Sequence, residues 1–143
     1  MGQSDINIVL GTWDKLNVDA MAIRYEVFIQ EQSVPEEIER DDMDAVSMHA
    51  VAYTEAGLPI GTGRLLPDGH IGRMAVLRPA RGTGIGGQVL DALLVAAQGL
   101  GHKHVALHAQ VHARGFYEAH GFQAEGEPFI EADMPHVLMV RDV

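Results

Sequence analysis

The stretch Met74-Ala75-Val76-Leu77-Arg78-Pro79-Ala80-Arg81-Gly82-Thr83-Gly84-Ile85-Gly86-Gly87 decides the reading of this chain. Apolar residues lead into it, a basic, proline-bearing turn follows, and glycines then alternate up to an amphipathic run. Behind the glycines, Ile85, Val89, Leu90, Leu93, Leu94 and Ala97 recur at helical spacing while Gln88, Asp91 and Gln98 fall off the stripe, the pattern of a helix with one buried face. Gly99 and Gly101 supply its stop. The start of such a helix exposes unpaired N–H groups and the positive end of its dipole. Glycines remove the side chains that would hold a pyrophosphate away from those groups, and Arg81 adds a cation at the mouth. The same residues also fit a glycine-rich turn that binds nothing.

Working outward, Ile6 to Trp13 reads as a first strand. Val18 to Gln30, with Met21, Ile23, Val27 and Phe28 at helical spacing, reads as a helix ending before Pro35. Glu36 to Asp44 is acidic and reads as a solvated loop. Met48–Tyr53, Ile60–Leu66 and His70–Leu77 form strands two to four, with turns at Glu55–Pro59 and Asp68-Gly69. The glycines therefore follow an antiparallel meander, and Gly82, Gly84 and Gly86 are each two apart; both facts depart from the dinucleotide fingerprint of a Rossmann unit. Downstream, Val105, Leu107 and Ala109 alternate with His104, Ala106 and His108 as a fifth strand. Ala113–His120 is a short helix closed by Gly121. Phe122–Glu125 and His136–Val140 are the last strands, joined by a loop through Pro128 and Pro135. One mixed α/β domain over residues 1–143 accounts for the pattern.

Composition narrows the chemistry. With 143 residues, 47% hydrophobic and 21% charged, the chain is globular rather than disordered. It has no cysteine, which excludes disulfides, thiolate metal sites and a cysteine nucleophile. A net charge of −10 argues against a nucleic-acid partner and is compatible with a cationic one such as an amine. The eight histidines do not form a helical His-x-x-x-His pair with a nearby glutamate, so no metal is expected. No apolar run reaches bilayer length, and the N-terminus lacks a signal-peptide pattern; Asn7 sits where a myristoylation motif calls for Ser or Thr. A cytoplasmic protein without a membrane partner is expected.

Met74 through Gly86 resembles the acyl-CoA motif of the GNAT superfamily, with its Arg/Gln-x-x-Gly-x-Gly/Ala core. Ala113-Arg114-Gly115-Phe116-Tyr117-Glu118-Ala119-His120-Gly121-Phe122 resembles that superfamily's Ala-x-x-Phe-Tyr-x-x-x-Gly-Phe segment. Arg24 to Pro35 and Phe129 to Met139 resemble the branch holding ElaA-like proteins and glyphosate N-acetyltransferases. The resemblance implies an α/β (α+β) GNAT fold: a mixed, mostly antiparallel sheet with splayed fourth and fifth strands, flanked by helices. It implies acetyl-CoA as acyl donor, with pantetheine against the main chain of Met74, Ala75 and Val76. The pyrophosphate would lie on Arg81, Gly82, Thr83, Gly84, Ile85, Gly86 and Gly87, and Phe116 joins the cofactor set. Gln110 stands where most members carry Asn.

The resemblance also implies roles in amine acylation. Tyr117 is the expected general acid, a phenol that donates to the leaving thiolate, although a Phe-Tyr pair can equally be core packing. His136 is the expected base, against the alternative of a strand-edge histidine bonded to backbone. Glu31 and His49 are weaker candidates for that role, and His112 and His120 read as helix-surface residues. Arg24 and Arg73 are expected to face an anionic group of the substrate. Without a cysteine, direct attack by a small-molecule amine in a ternary complex is the expected route. A non-catalytic acyl-CoA sensor and a protein or peptide N-acetyltransferase remain as alternatives. The oligomeric state stays open, a homodimer included.

Overall fold

In the computed structural model, residues 6–36 and 41–143 are described. Seven strands form one sheet in the order β1-β2-β3-β4-β5-β7-β6. They are β1 Asn7–Gly11, β2 Met48–Tyr53, β3 Pro59–Leu65, β4 His70–Val76, β5 His104–Gln110, β6 Gln123–Glu131 and β7 Met134–Asp142. Neighbours are antiparallel except β4 and β5, which run parallel. Helix α1 (Trp13–Arg24) covers one face and α2 (Ile85–Gly99) the other; the short α3 (Arg114–Ala119) follows β5.

Each face of the sheet has its own core. The α2 stripe Ile85, Val89, Leu90, Leu93, Leu94 and Ala97 is wholly buried, together with Leu65, Ile71, Leu107, Val137 and Met139. On the other face Leu16, Ala20, Ile23 and Val27 pack on Val51 and Ala75. The helical spacing of those four residues builds α1, with Thr12 extended at its N-cap and Asp14 in its first turn.

One irregularity reorganises the sheet. Thr62 pairs with Ala75 and Arg64 with Gly72, so two steps along β3 match three along β4 and one residue is extra. Arg73, at φ 52°, occupies the bulge. Since side chains alternate along a strand, Ile71 and Ala75 should share a face; the extra residue puts Ile71 in the α2 core and Ala75 in the α1 core. The bulge also bends β4 away from β5. Their ladder consists of His70 with Ala106 and Ile71 with Leu107, and then stops.

Several boundaries differ from the sequence reading. Trp13 begins α1 instead of ending β1, and α1 passes into a wider π-helical segment, Tyr25–Glu31. The expected loop through Pro128 and Pro135 is a hairpin whose two-residue turn, Ala132-Asp133, has both residues at positive φ. Pro128 lies on the sheet's outer strand at a register shift, and Pro135 lies past the last β5 partner, Gln110. At such places a missing N–H breaks no ladder bond. The acidic stretch is not a solvated loop where it is described: Asp44 is buried at the start of a 3-10 turn, Asp44–Val46, while residues 37–40 lie outside the described residues.

Gly63 faces the bulge, and a Cβ there would lie 2.5 Å from Met74 Sδ and 2.9 Å from Leu93 Cδ1. Gly63→Ala should therefore displace Met74 and Leu93 and destabilise the fold by about 1–3 kcal/mol. Leu93→Ala, at a fully buried position, should cost about 2–5 kcal/mol. Urea unfolding of both variants checks these values.

Candidate active site

The gap between β4 and β5 opens beyond Ile71 and Leu107. From Gly72 to Val76, β4 has no strand partner on that side, so main-chain N–H and C=O groups face the gap where Met74, Ala75 and Val76 were expected to act. An extended chain could pair there as an added strand does. At the end of the gap, Arg78–Ala80 forms a 3-10 turn and Gly84 caps α2. Gly82 (φ 78°) and Gly84 (φ 87°) are left-handed, a conformation other residues adopt only with strain, and open space surrounds both. No side chain caps α2. Among the described residues, the N–H groups from Gly82 through Gly87 have no hydrogen-bond partner. A run of unpaired donors at the positive end of a 15-residue helix is an anion site in geometry and field.

Other members of the expected cofactor set sit around this run in different ways. Ile85 is buried in the α2 core, so it offers the cleft only its main chain. Thr83 donates its hydroxyl to the Ala80 carbonyl at 2.5 Å, bracing the loop. A Cβ on Gly86 would sit 3.6 Å from both Phe116 and Val76, which brings α3, β4 and α2 together at one point. His120 is not a free surface residue: its ring is packed 3.1 Å from the Cβ position of Gly87 and 4.9 Å from Phe116. Gln110, at the end of β5, donates to Gln32 Oε1 at 3.1 Å.

Arg81 is held rather than free. Its guanidinium makes a bidentate pair with Glu31 at 2.6 and 2.7 Å and donates from Nε to the Val76 carbonyl. The Arg81 hydrogen bonds hold the Glu31 carboxyl down at about 2. Glu31 is thus an ionised partner of Arg81, a poor proton acceptor for an ammonium, and its expected role as an alternative base is not supported by its setting.

The two arginines expected at the substrate belong to an ion network. Arg24 is 1% exposed; it meets Asp44 through two bonds of 2.9 and 3.1 Å and lies 5.3 Å over the Trp13 ring. Its charge is enclosed by protein, so the expected contact with an anionic substrate is corrected to a buried ion pair. Arg64, missed in the sequence, pairs with Asp41 at 2.7 and 2.8 Å and with Asp44 at 2.9 Å, and its buried Nε has no partner among the described residues. Arg73, on the bulge, reaches Asp41 at 3.2 Å and remains partly open to the cleft. Burial pushes the Asp44 carboxyl up, but Arg24 and Arg64 outweigh it and keep it below the ordinary range. Arg64 and Arg73 hold Asp41 down at about 2. His49 is 1% exposed, packs tilted against Trp13 and bonds the Asp44 carbonyl through Nε2; burial lowers its pKa. It serves this network and has no opening to the gap.

Tyr117 and His136 lie on opposite faces of the sheet. Tyr117 is in the α2-side core against Phe116 and Phe122, and burial pushes its phenol up to about 12. Its hydroxyl has no hydrogen-bond partner among the described residues. His136 pairs across with Gln110 at the end of β5, and its neighbour Val137 faces the α2 core, so its ring points to the α1 side. Nδ1 lies 2.8 Å from the Met134 carbonyl. A carbonyl accepts only from an N–H, so Nδ1 carries the proton, and in the neutral ring Nε2 is an acceptor.

A mixed seven-stranded sheet, a parallel pair that parts halfway and a glycine-capped helix at the gap define an acyl-CoA N-acyltransferase fold. Residues 12–143 match the family described as acetyltransferase (GNAT) domain, and the chain belongs to that family of acyl-CoA-dependent acetyltransferases. It is similar to the uncharacterized N-acetyltransferase YjcF of Bacillus subtilis, 39% identical over 87% of this chain and 91% of the relative. Among solved structures it is similar to an acyl-CoA N-acyltransferase from Pseudomonas aeruginosa (32% identity, TM-score 0.83, 95% and 99% of the two chains). It is likewise similar to Escherichia coli ElaA (27% identity, TM-score 0.83, 94% and 99%). Among the described residues no helix is long and apolar enough to cross a membrane.

The ion network makes stability depend on pH. Asp41 and Asp44 are depressed in the folded chain, so their contribution is present above the ordinary carboxylate pKa and is lost as pH falls through the folded values. For Asp41 that window runs from its ordinary 3.8 down to about 2. Removing the carboxylate at Asp44 takes away the buried charge that Arg24 and Arg64 share, and Asp44→Asn should cost about 3–5 kcal/mol at neutral pH. Its thermal melt should also respond less steeply to acid than that of the wild type.

Proposed function

We propose that this chain transfers the acetyl group of acetyl-CoA to the amine of a small molecule by direct attack in a ternary complex. The observation that carries the reading is the parted β4/β5 pair ending on the unpaired N–H groups of Gly82–Gly87. Pantetheine pairs with Met74–Val76 in the gap, an N–H there polarises the thioester carbonyl, and the pyrophosphate lies on the glycine loop. Arg81, committed to Glu31, contributes by fixing the loop.

In the reaction an ammonium substrate gives a proton to Nε2 of His136. The amine nitrogen bonds to the thioester carbon, the C–S bond breaks, and the departing sulfur takes a proton from Tyr117; the second proton that the nitrogen sheds as it becomes an amide restores the phenol. Burial suits Tyr117 to this part because the phenol keeps its proton throughout the working pH range. The fixed tautomer of His136 suits it to the other. The short connections between strands favour a small acceptor, and the cytoplasm is the proposed setting. Arg73, paired with Asp41, is proposed to contact an anionic group of that acceptor.

Calorimetry with acetyl-CoA tests the reading. Wild type should bind in the micromolar range. Gly86→Glu, which adds a carboxylate without a left-handed backbone to strain, should fold and lose binding. A folded wild type that does not bind acetyl-CoA overturns the proposal. With a panel of primary amines, His136→Ala should slow CoA release by about 10²-fold or more while acetyl-CoA binding persists. An unchanged rate removes His136 from the mechanism.

A further inference from the structure

His136 is about as buried as the core around it, with 5% of its surface exposed. A base in that position faces a physical difficulty. Its Nδ1–H is committed to the Met134 carbonyl, so a proton gained at Nε2 creates an enclosed imidazolium that needs a counter-charge and a way out. Among the described residues the carboxylate that meets this ring is Glu131, whose Oε2 lies 4.0 Å from Nε2. Its other oxygen, Oε1, lies 2.9 Å from Nδ1 of His108 on β5. Phe129 fills the space between the two imidazoles, stacked with His136 at 6.1 Å and edge-on to His108 at 5.0 Å. His70 on β4 meets the far side of His108 at 6.0 Å.

The arrangement draws on β4, β5, β6 and β7, and the tight Ala132-Asp133 turn is what brings Glu131 back over His136. Glu131 and His108 are both about half exposed, whereas His136 is not. Enclosed base, half-exposed carboxylate and outer imidazole thus form a graded line from the cleft to solvent.

We propose that Glu131 and His108 are positioning residues for His136: Glu131 is the counter-charge and proton exit of the base, and His108 holds that carboxylate in place. This rests on the assignment of His136 as base. The proton that leaves the ammonium moves to Nε2 of His136. It then passes to Oε2 of Glu131, across a gap about 1 Å longer than a hydrogen bond that a small closure or one water spans. From the half-exposed carboxyl it goes to water, which restores Glu131 as carboxylate and His136 as the neutral ring. His108, donating Nδ1–H to Oε1, keeps the carboxylate turned inward. The site is therefore built to accept its substrate as an ammonium and to discharge the proton on the β6–β7 side, away from the glycine loop.

NMR on protein carrying labelled histidines reads the coupling without any acceptor. In Glu131→Gln, which keeps size and hydrogen-bonding capacity at a half-exposed residue, the ring signals of His136 and His108 should both differ from those of the wild type across the same pH series. His70, with its own partner Asp68, should move far less. Identical His136 behaviour in Glu131→Gln overturns the proposal. Kinetics supply the second arm, with acetyl-CoA and the best acceptor from the primary-amine panel as probes. Glu131→Gln should lower kcat and shift the acid limb of the pH–rate profile, with KM for acetyl-CoA unchanged. In a His136→Gln background it should add no further loss. Independent losses that multiply overturn the relay while leaving His136 as base; a His136→Gln rate equal to wild type overturns the base assignment itself.

Discussion

One extra residue in β4 sets the geometry on which the rest of the molecule depends. Without the bulge at Arg73, β4 would continue beside β5, its main-chain groups satisfied by the neighbouring strand. With it, the ladder ends at Ile71 and Leu107, and the rest of β4 has no strand beside it along the gap. Unpaired backbone inside a sheet is unfavourable unless something completes it. In the proposed complex the completing partner is the acyl donor's extended arm. The same bulge exchanges the faces of β4, so the residues before it belong to the α2 core and Ala75 to the α1 core. The strand thereby serves both layers at the site.

A residue at φ 52° in the middle of a strand must be held there by its surroundings. Two restraints are visible. Gly63 gives Met74 room to lie against β3, and Asp41 grips the Arg73 guanidinium. Asp41 also grips Arg64, which shares Asp44 with Arg24, so the bulge is tied by charge to α1 and to the turn at Asp44–Val46. Glu31, at the end of the π-helical segment, extends the same logic to the glycine loop through Arg81 and Arg78. The acidic residues that give the chain its net charge are thus partly structural. They fasten α1 and the π-helical segment to β3, β4 and the glycine loop.

How legible this was depended on whether the cause of a feature is local. The α2 stripe and its glycine cap are written within one stretch, and both the helix and its stop stand where periodicity put them. The alternation of Val105, Leu107 and Ala109 likewise gave β5. The bulge has no such signature, because it exists only in the register between β3 and β4. Arg24 was misjudged for a related reason: an arginine on a helix reads as surface or substrate contact until its partner, twenty positions away at Asp44, is brought beside it. Pro128 and Pro135 misled by a sound rule, since prolines interrupt ladders, but at an outer strand and beyond a strand's end there is no ladder bond to lose. Glu131 went unnoticed because it is remote in sequence from His108, and only the hairpin turn gives it a role.

The sheet also separates the two halves of the proposed reaction. Tyr117 lies on the α2 face in a dry aromatic cluster, and His136 lies on the α1 face beside charged and half-exposed groups. A thioester held in the β4/β5 gap would present opposite sides to them. The sulfur would depart toward a phenol that burial keeps protonated, while the amine would approach from the side where a carboxylate can take up the positive charge of the base. A group that must hold its proton is best placed where water is scarce, and a group that must shed one is best placed near a path to water. Moving either residue to the other face would put its charge state at odds with its task, so in the proposed reaction the parting of β4 from β5 would do more than admit the cofactor: it would give each proton its own side of the protein.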